Sequence, residues 1–254
     1  MQLIDTHCHI HSQDYPLPLG EVEQQAQAAG VTQLLCVGTD ADDSQRAAQF
    51  AAHRLNAWAS AGLHPHDAAL GDAELAKLRQ LVADQPNKIV AIGECGLDYF
   101  YNHSPKQQQI NSLRAHIELA LKYNLPMIFH VREAFDDFWP IFDEYPGIRG
   151  VIHSFTDTHA QLDALLSRGL YVGVNGIITF TKNDWQLEVA KAIPLDRLLL
   201  ETDAPFLTPV PLRGKVNQPA HVRLVAEFLA KLRNDSLQNI ANATTHNARQ
   251  LFSI

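Results

Sequence analysis

Two histidines spaced two residues apart, His7 and His9, are the first residues of this chain whose types and spacing indicate chemistry. They end a short, mostly apolar run that has the composition of a β-strand. Residues i and i+2 of a strand point to the same face, so the two imidazoles project together. Two neutral imidazoles in that arrangement can bind one divalent cation. Ordinary histidines, in the core or near a flexible terminus, are the other interpretation of the pair.

Later apolar runs also end in residues that can bind a metal. In chain order these ends are Gly62-Leu63-His64-Pro65, Gly93-Glu94, His130-Val131-Arg132, His153-Ser154 and Glu201-Thr202-Asp203-Ala204-Pro205. Taken singly, each has a structural alternative, such as a core histidine, an ion-pair partner, a helix cap or a turn. Taken together they favour a metal site, because unpaired buried charge is costly. The predicted ligands are His7, His9, Glu94, His130, His153 and Asp203.

Composition limits the class of protein. The chain has 254 residues and a formal net charge of −8, which argues against a broad basic surface for duplex nucleic acid. A phosphate substrate stays possible, because divalent cations locally reverse the sign of an acidic site. We find no apolar run near the roughly 18 residues that cross a bilayer, and no signal-peptide pattern. Cys8, Cys36 and Cys95 have the apolar surroundings of reduced, buried thiols. These features predict a cytoplasmic protein without a membrane partner.

Apolar runs of strand type alternate with amphipathic segments over the whole chain. The predicted strands are Gln2–Asp5, Thr32–Val37, Ala57–Gly62, Ile89–Gly93, Met127–His130, Gly150–His153, Leu170–Val174 and Arg197–Glu201. The predicted helices are Gly20–Ala29, Ala41–Arg54, Asp72–Asp84, Pro105–Tyr123, Glu133–Glu144, Thr158–Arg168, Asn183–Ile193, Pro219–Arg233 and Ser236–Phe252. We find no linker, so residues 1–254 are predicted to form one domain.

Eight strands alternating with helices over about 250 residues are typical of the α/β class, and in particular of the (β/α)8 TIM barrel. A doubly wound sheet is the competing fold, but it calls for a Gly-rich loop where this chain has His-Cys-His. In a barrel the strand ends share one rim. Four histidines and two carboxylates can hold two cations there if one carboxylate bridges them. Glu94, on a central strand, is the predicted bridge.

The same blocks carry a resemblance to a known family. They are Asp5-Thr6-His7-Cys8-His9, Gly62-Leu63-His64-Pro65, Gly93-Glu94-Cys95-Gly96-Leu97-Asp98-Tyr99, His130-Val131-Arg132, His153-Ser154-Phe155-Thr156, Glu201-Thr202-Asp203-Ala204-Pro205, Arg213-Gly214-Lys215-Val216-Asn217-Gln218-Pro219 and Asn247-Ala248-Arg249-Gln250-Leu251-Phe252. In this order they resemble the TatD family of metal-dependent hydrolases. The resemblance implies a barrel of the amidohydrolase-like type, divalent metals and deoxyribonuclease activity, often as a 3′→5′ exonuclease. It also implies the six ligands that the strand ends indicate.

Phosphodiester hydrolysis suits such a site, and the residues are interpreted accordingly. Asp203 and Glu94 are the predicted catalytic residues, with Asp203 as a metal ligand that also accepts a proton from the attacking water. His64 and Arg132 are predicted to bind the phosphate of the substrate. Glu201 is predicted to orient a ligand or the water. Three cations could bind the backbone of a nucleic-acid strand or be ordinary surface charges: Lys182, Arg213 and Lys215. Three rings could stack on bases or form a hydrophobic lid: Tyr99, Phe100 and Tyr101.

Other functions remain open on the sequence. The same site could hydrolyse an amide, a lactone or an aminoacyl-tRNA ester, although a carboxylated lysine favouring that chemistry has no candidate at a strand end. A metal-dependent binding protein without turnover is the third possibility. The predicted cofactors are two divalent cations, with Mg, Mn and Zn all admissible. The predicted partner is DNA at ends or single strands, and the predicted state is a monomer.

Overall fold

The computed structural model describes residues 1–85 and 87–254, and strands and helices alternate through these two ranges. The strands are β1 Leu3–Cys8, β2 Val31–Val37, β3 Ala57–Ala61, β4 Ile89–Asp98, β5 Met127–Arg132, β6 Gly150–Ile152, β7 Tyr171–Val174 and β8 Leu198–Leu200. The helices are α1 Leu19–Ala28, α2 Ala41–Ala52, α3 Gly71–Asp84, α4 Lys106–Tyr123, α5 Phe135–Asp143, α6 His159–Ser167, α7 Asp184–Ala192, α8 Val222–Arg233 and α9 Leu237–Phe252. Among the described helices, none combines the length and apolarity required to cross a bilayer.

The strands form one parallel sheet in chain order, from β1 to β8. A parallel bridge between Cys8 and Ala204 continues the pairing from the end of β8 back to β1. A parallel sheet in chain order, with helical connections and its last strand beside its first, is the topology of the (β/α)8 barrel. The predicted fold class is therefore confirmed.

The chain divides into two compact units. One contains residues 1–36 and 154–254, and the other contains residues 37–153. We call them the terminal unit and the middle unit and describe each by itself. The assignment of residues 1–254 to one domain stays a prediction.

The terminal unit is built on β7, β8, β1 and β2. Strand β8, Leu198–Leu200, is apolar throughout and fully buried, as expected where helices cover a parallel sheet. Helix α9 fastens the beginnings of the strands. The amide nitrogen of Asn247 donates to the carbonyl oxygens of Leu195 and Leu198, each at 2.9 Å. The hydroxyl of Thr245 donates to the carbonyl oxygen of Gln2 at 3.0 Å.

The middle unit is built on β3, β4, β5 and β6. Helix α5 packs on it through aromatic rings, with the ring centroids of Phe129 and Phe138 5.1 Å apart. Glycine lets two strands approach closely at Gly96, where an added Cβ would overlap the carbonyl oxygen of His130. The backbone of Gly96 also has a positive φ of 152°, which other residues rarely adopt. This glycine therefore keeps β4 beside β5 as far as Asp98.

The observed bounds differ from the predicted ones mainly at strand ends. Strand β4 continues to Asp98 instead of ending at Gly93, because it stays paired with β5 through the close approach at Gly96. Strand β1 continues to Cys8, and β8 ends at Leu200, before Glu201. The predicted helix Pro219–Arg233 begins with a 3-10 turn, Pro219–His221, and becomes α-helical at Val222.

Candidate metal centre

The first group of predicted ligands lies where β1 and β8 end, and we call His7, His9 and Asp203 the β1/β8 cluster. Backbone hydrogen bonds between the end of β1 and the segment that follows β8 hold this cluster together. The N–H of Asp203 donates to the carbonyl oxygen of His7 at 2.8 Å, and the N–H of His9 donates to that of Ala204 at 2.7 Å. Asp203 has a φ of 59°, in the left-handed region that Asp and Asn tolerate better than most residues. The turn thus aims its carboxylate at the two imidazoles.

Three ligand atoms converge in the β1/β8 cluster. The Nε2 atoms of His7 and His9 are 3.1 Å apart. Oδ1 of Asp203 lies 3.6 Å from Nε2 of His7 and 3.3 Å from Nε2 of His9. His7 is fully buried and His9 nearly so. Spacing i, i+2 therefore places both imidazoles on one side, as the sequence predicted.

Asp5, two residues before His7 on β1, holds the backbone of this cluster in place. Its carboxylate accepts the N–H of Thr202 at 2.9 Å and the hydroxyl of Thr202 at 2.6 Å. It also accepts the N–H of His7 at 3.3 Å. Complete burial raises the pKa of Asp5 to about 8 despite these hydrogen bonds. Asp5 thus ties the residue next to Asp203 to the backbone of His7.

The second group lies at the ends of β3 to β6, and we call His64, Glu94, His130 and His153 the β4/β5 cluster. Oε1 of Glu94 is its centre. It lies 2.7 Å from Nε2 of His153, 2.8 Å from Nδ1 of His130 and 3.5 Å from Nε2 of His64. Nδ1 of His130 is also 3.3 Å from Nε2 of His153. One carboxylate oxygen therefore faces three imidazoles.

Charge compensation governs the β4/β5 cluster. Burial raises the pKa of Glu94, but the facing histidines His153, His64 and His130 outweigh burial and hold that pKa well below its usual value. Burial lowers the pKa of His64, and Glu94 opposes this only in part. For His130, burial is outweighed by two carboxylates, Asp98 and Glu94, so its pKa is raised. Opposite charges thus meet at His130, between the carboxylates of Glu94 and Asp98.

Asp98 is the second carboxylate on His130. Its Oδ2 lies 2.9 Å from Nε2 of His130 and 3.1 Å from Nε2 of His66. Burial raises the pKa of Asp98, but hydrogen bonds from His130, Tyr101 and His66 lower it below the usual range. An ionised carboxylate only accepts, so Asp98 keeps a proton on Nε2 of His130. This leaves Nδ1 as the ligand atom, the arrangement found behind many metal-bound histidines.

Both clusters fit a divalent cation by donor chemistry and spacing. Two nitrogen ligands of one tetrahedral zinc, each about 2.0–2.1 Å from it, lie about 3.3 Å apart. The facing nitrogens of His7 and His9 and of His130 and His153 have this spacing. His64, Glu94 and His130 also form a group that can hold a metal ion. Imidazole with carboxylate suits zinc, manganese and other first-row ions, so the donor set does not choose among metals.

The other predicted substrate and surface residues lie outside the two clusters. Arg132 is exposed, and its guanidinium carbon lies 4.0 Å from the ring centroid of Phe100. Arg213 lies 3.7 Å above the ring of Phe180 and donates to the carbonyl oxygen of Thr208. Glu201 is buried and accepts the N–H of Ser154 at 2.6 Å. His64, predicted to bind phosphate, lies within the β4/β5 cluster instead of beside it.

Sequence reasoning missed three supporting residues. Asp98 lay beyond the predicted end of its strand, although it follows Glu94 at i+4, which is the same face of a strand. His66 falls outside the pattern of strand ends, yet it contacts Asp98. Asp5 precedes His7 by two residues, but its partner Thr202 lies 197 positions away. No local pattern reveals such a pair.

Comparison with known proteins agrees with this architecture. The family model described as TatD related DNase matches residues 4–253. The chain is 40% identical to the metal-dependent hydrolase YabD of Bacillus subtilis, over 99% of both chains. It is 36% identical to the 3′-5′ ssDNA/RNA exonuclease TatD of Erwinia amylovora, over 99% of this chain and 100% of the relative.

A solved structure gives the same result. The TatD homologue YJJV of Escherichia coli K12 superposes with a TM-score of 0.91 and is 32% identical, covering 99% of this chain and 98% of its own. The family model spans nearly the whole chain, and the relatives match from end to end. The chain, with its barrel topology and its two histidine–carboxylate clusters, therefore belongs to the TatD family of metal-dependent hydrolases.

Proposed function

We propose that the protein is a deoxyribonuclease that removes nucleotides from DNA ends in the 3′→5′ direction, with two divalent cations held by His7, His9, Glu94, His130, His153 and Asp203. The observation that carries the proposal is the spacing of imidazole and carboxylate atoms within each cluster, which matches ligands of one metal. Glu94 would be the ligand shared by the two cations, because its carboxylate faces three imidazoles in the β4/β5 cluster.

Each residue has a defined task in this proposal. The cations would supply Lewis acidity and lower the pKa of the attacking water. Asp203 accepts a proton from that water, for which its position in a turn beside His9 is suited. Arg132 binds a phosphate of the strand, and Asp98 holds His130 in the required tautomer. His64 either binds phosphate or serves as a further ligand.

The choice of substrate rests on charge and on the relatives. A net charge of −8 disfavours a broad duplex-binding surface, which suits action on ends or single strands. One relative, 36% identical, bears the name of a 3′-5′ ssDNA/RNA exonuclease. Hydrolysis of a carbonyl compound has no comparable support among the site residues. The monomeric state and the cytoplasmic location stay predictions.

Metal content tests the site. Purified protein loaded with zinc or manganese should contain two ions per chain by elemental analysis. Glu94→Gln removes the charge while keeping the size, and it should lower the affinity for both ions more than 100-fold, because even groups behind a ligand contribute about 10–100-fold. Glu118→Gln, the same change at an exposed position of α4, is the matched control. Unchanged metal content in Glu94→Gln would refute the bridging role.

Substrate form tests the activity. Rates are compared on a labelled linear single strand, a blunt duplex, a closed circle, RNA, and an ester-linked aminoacyl-tRNA. We expect the linear single strand to react fastest, with label released from its 3′ end. Equal rates on the linear and circular DNA would contradict an exonuclease. Turnover of the aminoacyl ester alone would replace the proposed function with carbonyl hydrolysis.

A further inference from the structure

Two exposed aromatic rings follow β4 directly. Phe100 is 51% exposed and Tyr101 is 50% exposed, so two adjacent rings of the middle unit face solvent. The centroids of the two rings are 4.9 Å apart, and their planes are nearly perpendicular. Exposed aromatic surface that the fold could have covered points to a ligand.

The loop that carries these rings is firmly attached. The N–H of Tyr101 donates to Asp98 at 2.8 Å, and the N–H of Tyr99 donates to the carbonyl oxygen of Arg132 at 3.0 Å. The hydroxyl of Tyr99 donates to Asp137 at 2.7 Å. The rings are therefore held in place before any ligand binds, which reduces the entropy lost on binding.

Not all the ring faces in this loop are open. Lys106 lies 3.9 Å from the ring centroid of Tyr99, and the ring of His103 lies parallel to that of Tyr101 at 5.6 Å. The ring of Phe100 has Arg132 on one side, with its guanidinium carbon 4.0 Å from the centroid. About half of the Phe100 side chain nevertheless stays exposed, so a flat ligand can reach this ring.

Arg132 adds charge to this surface. A guanidinium that lies on a ring still directs its N–H donors outward in its own plane, where they suit a phosphate. Arg132 is two residues from His130 along β5, about 7 Å of strand, so the rings and the β4/β5 cluster are neighbours within the middle unit. One flat apolar face and one cation next to a metal centre match a nucleotide unit of a single strand, which offers a base and a phosphate together.

We propose that Phe100 is a base-stacking site for single-stranded nucleic acid and that Arg132, behind it, binds the phosphate of the same nucleotide. This inference rests on the proposed function and adds a subsite to it. Stacking is tolerant of sequence because every base has a π-face. The site therefore contributes affinity for an unpaired strand without sequence preference, and a base paired in a duplex has both faces occupied.

The test compares oligonucleotides that have or lack a base. A series of single-stranded substrates is prepared, each with one abasic position at a different distance from the 3′ end. The kcat/KM of each substrate is compared with that of the intact strand. With the wild-type protein one abasic position should lower kcat/KM about tenfold or more. In Phe100→Ala the intact strand should lose a similar factor, and the abasic position should have no further effect.

Two more variants separate stacking from simple apolar contact. Phe100→Leu keeps an apolar side chain without a π-face and should behave as Phe100→Ala, whereas Phe100→Trp should keep the preference for a base. Leu55→Ala is the control, since Leu55 is 91% exposed and precedes β3 at the opposite end of the strand from His64. An equal abasic effect in wild type and Phe100→Ala would overturn the inference.

A second readout does not depend on hydrolysis. An oligonucleotide with 2-aminopurine near its 3′ end is mixed with the Asp203→Asn variant, and its fluorescence should be quenched on stacking. Adding Phe100→Ala to that variant should abolish the quenching, and retained quenching would overturn the inference. Absence of hydrolysis on every strand would refute the proposed nuclease activity, while the quenching still decides whether Phe100 stacks.

Discussion

In the β4/β5 cluster the carboxylate of Glu94 lies 2.7 and 2.8 Å from two imidazoles, whereas in the β1/β8 cluster the carboxylate of Asp203 lies 3.3 and 3.6 Å from its two. The first arrangement is held by its own charges. The second is held by backbone hydrogen bonds and by Asp5. Side chains of the same types are thus positioned by different forces.

This difference predicts different responses to substitution. Removing a charge from the β4/β5 cluster leaves facing histidines without their compensating carboxylate, and breaking such a buried pair is strongly destabilising. Removing a charge from the β1/β8 cluster leaves its backbone frame in place. Substitutions in the β4/β5 cluster should therefore disturb the arrangement of its side chains. Substitutions in the β1/β8 cluster should leave the arrangement intact and change metal binding and catalysis.

Asp203→Asn should have the largest effect on rate. Asn keeps the size of Asp and tolerates the left-handed φ of 59°, so the turn should persist. Loss of the proton acceptor should lower kcat by about 10²–10⁴-fold. Steady-state kinetics at saturating metal measure this loss of kcat, and circular dichroism confirms folding. Asp163→Asn, at an exposed position of α6, is the control. A folded variant with nearly normal kcat would show that Asp203 is not the base.

Asp98→Asn should act on the β4/β5 cluster only. It weakens the hydrogen bond that fixes the tautomer of His130, and such losses lower metal affinity about 10–100-fold. Titration with limiting metal should then show that one ion binds tightly and the other binds more weakly. Asp72→Asn, at an exposed position of α3, is the control. Equal weakening of both ions would mean that the clusters do not respond independently.

His116→Gln should change how stability depends on pH. Nε2 of the buried His116 accepts the N–H of Leu63, next to His64, and burial lowers its pKa to about 4. The unfolded chain takes up this proton near pH 6.5, so the free energy of unfolding falls as the pH drops from about 6.5 to 4. At pH 5.5 the loss is about 1 kcal/mol.

The Gln variant should lack this loss, so its stability should fall less than that of the wild type between pH 7 and 5. Urea unfolding at the two pH values measures the difference. His53→Gln, at an exposed position, should keep the wild-type slope. Parallel pH profiles for wild type and His116→Gln would contradict the assignment.

Arg132→Lys should have the smallest effect. Lysine keeps the charge but loses the planar fork and the stacking on Phe100. If Arg132 binds phosphate equally in the ground and transition states, KM should rise severalfold with kcat nearly unchanged. Arg79→Lys, on the exposed face of α3, is the control. A fall in kcat at constant KM would place Arg132 in the chemical step instead.

The sequence predicted the fold class and the family because both depend on local patterns. Apolar runs of strand length, amphipathic segments and blocks such as Asp5-Thr6-His7-Cys8-His9 can be recognised without knowing their neighbours in space. The convergence of His7 with His9 follows from the strand period alone. The assignment of all six ligands stays a prediction.

What the sequence did not reveal depends on contacts between distant segments. Asp98 supports His130 only because Gly96 lets β4 stay beside β5, and no composition rule states how far a strand pair continues. The contact of Asp5 with Thr202 joins two segments that are 197 positions apart. The stacking of Arg132 on Phe100 joins the last residue of β5 to the loop after β4. Each is a tertiary interaction that local propensity does not encode.

The division of the chain into a continuous middle unit and a terminal unit made of both chain ends has a consequence for biosynthesis. All ligands of the β4/β5 cluster are synthesised before Asp203, whereas Asp5 and Thr202, 197 positions apart, can meet only after Thr202 has left the ribosome. Contacts of such long sequence separation form late, because their loops are costly to close. A nascent chain therefore keeps the edge of β1 that faces Ala204 unpaired until that point, and unpaired strand edges are prone to aggregation.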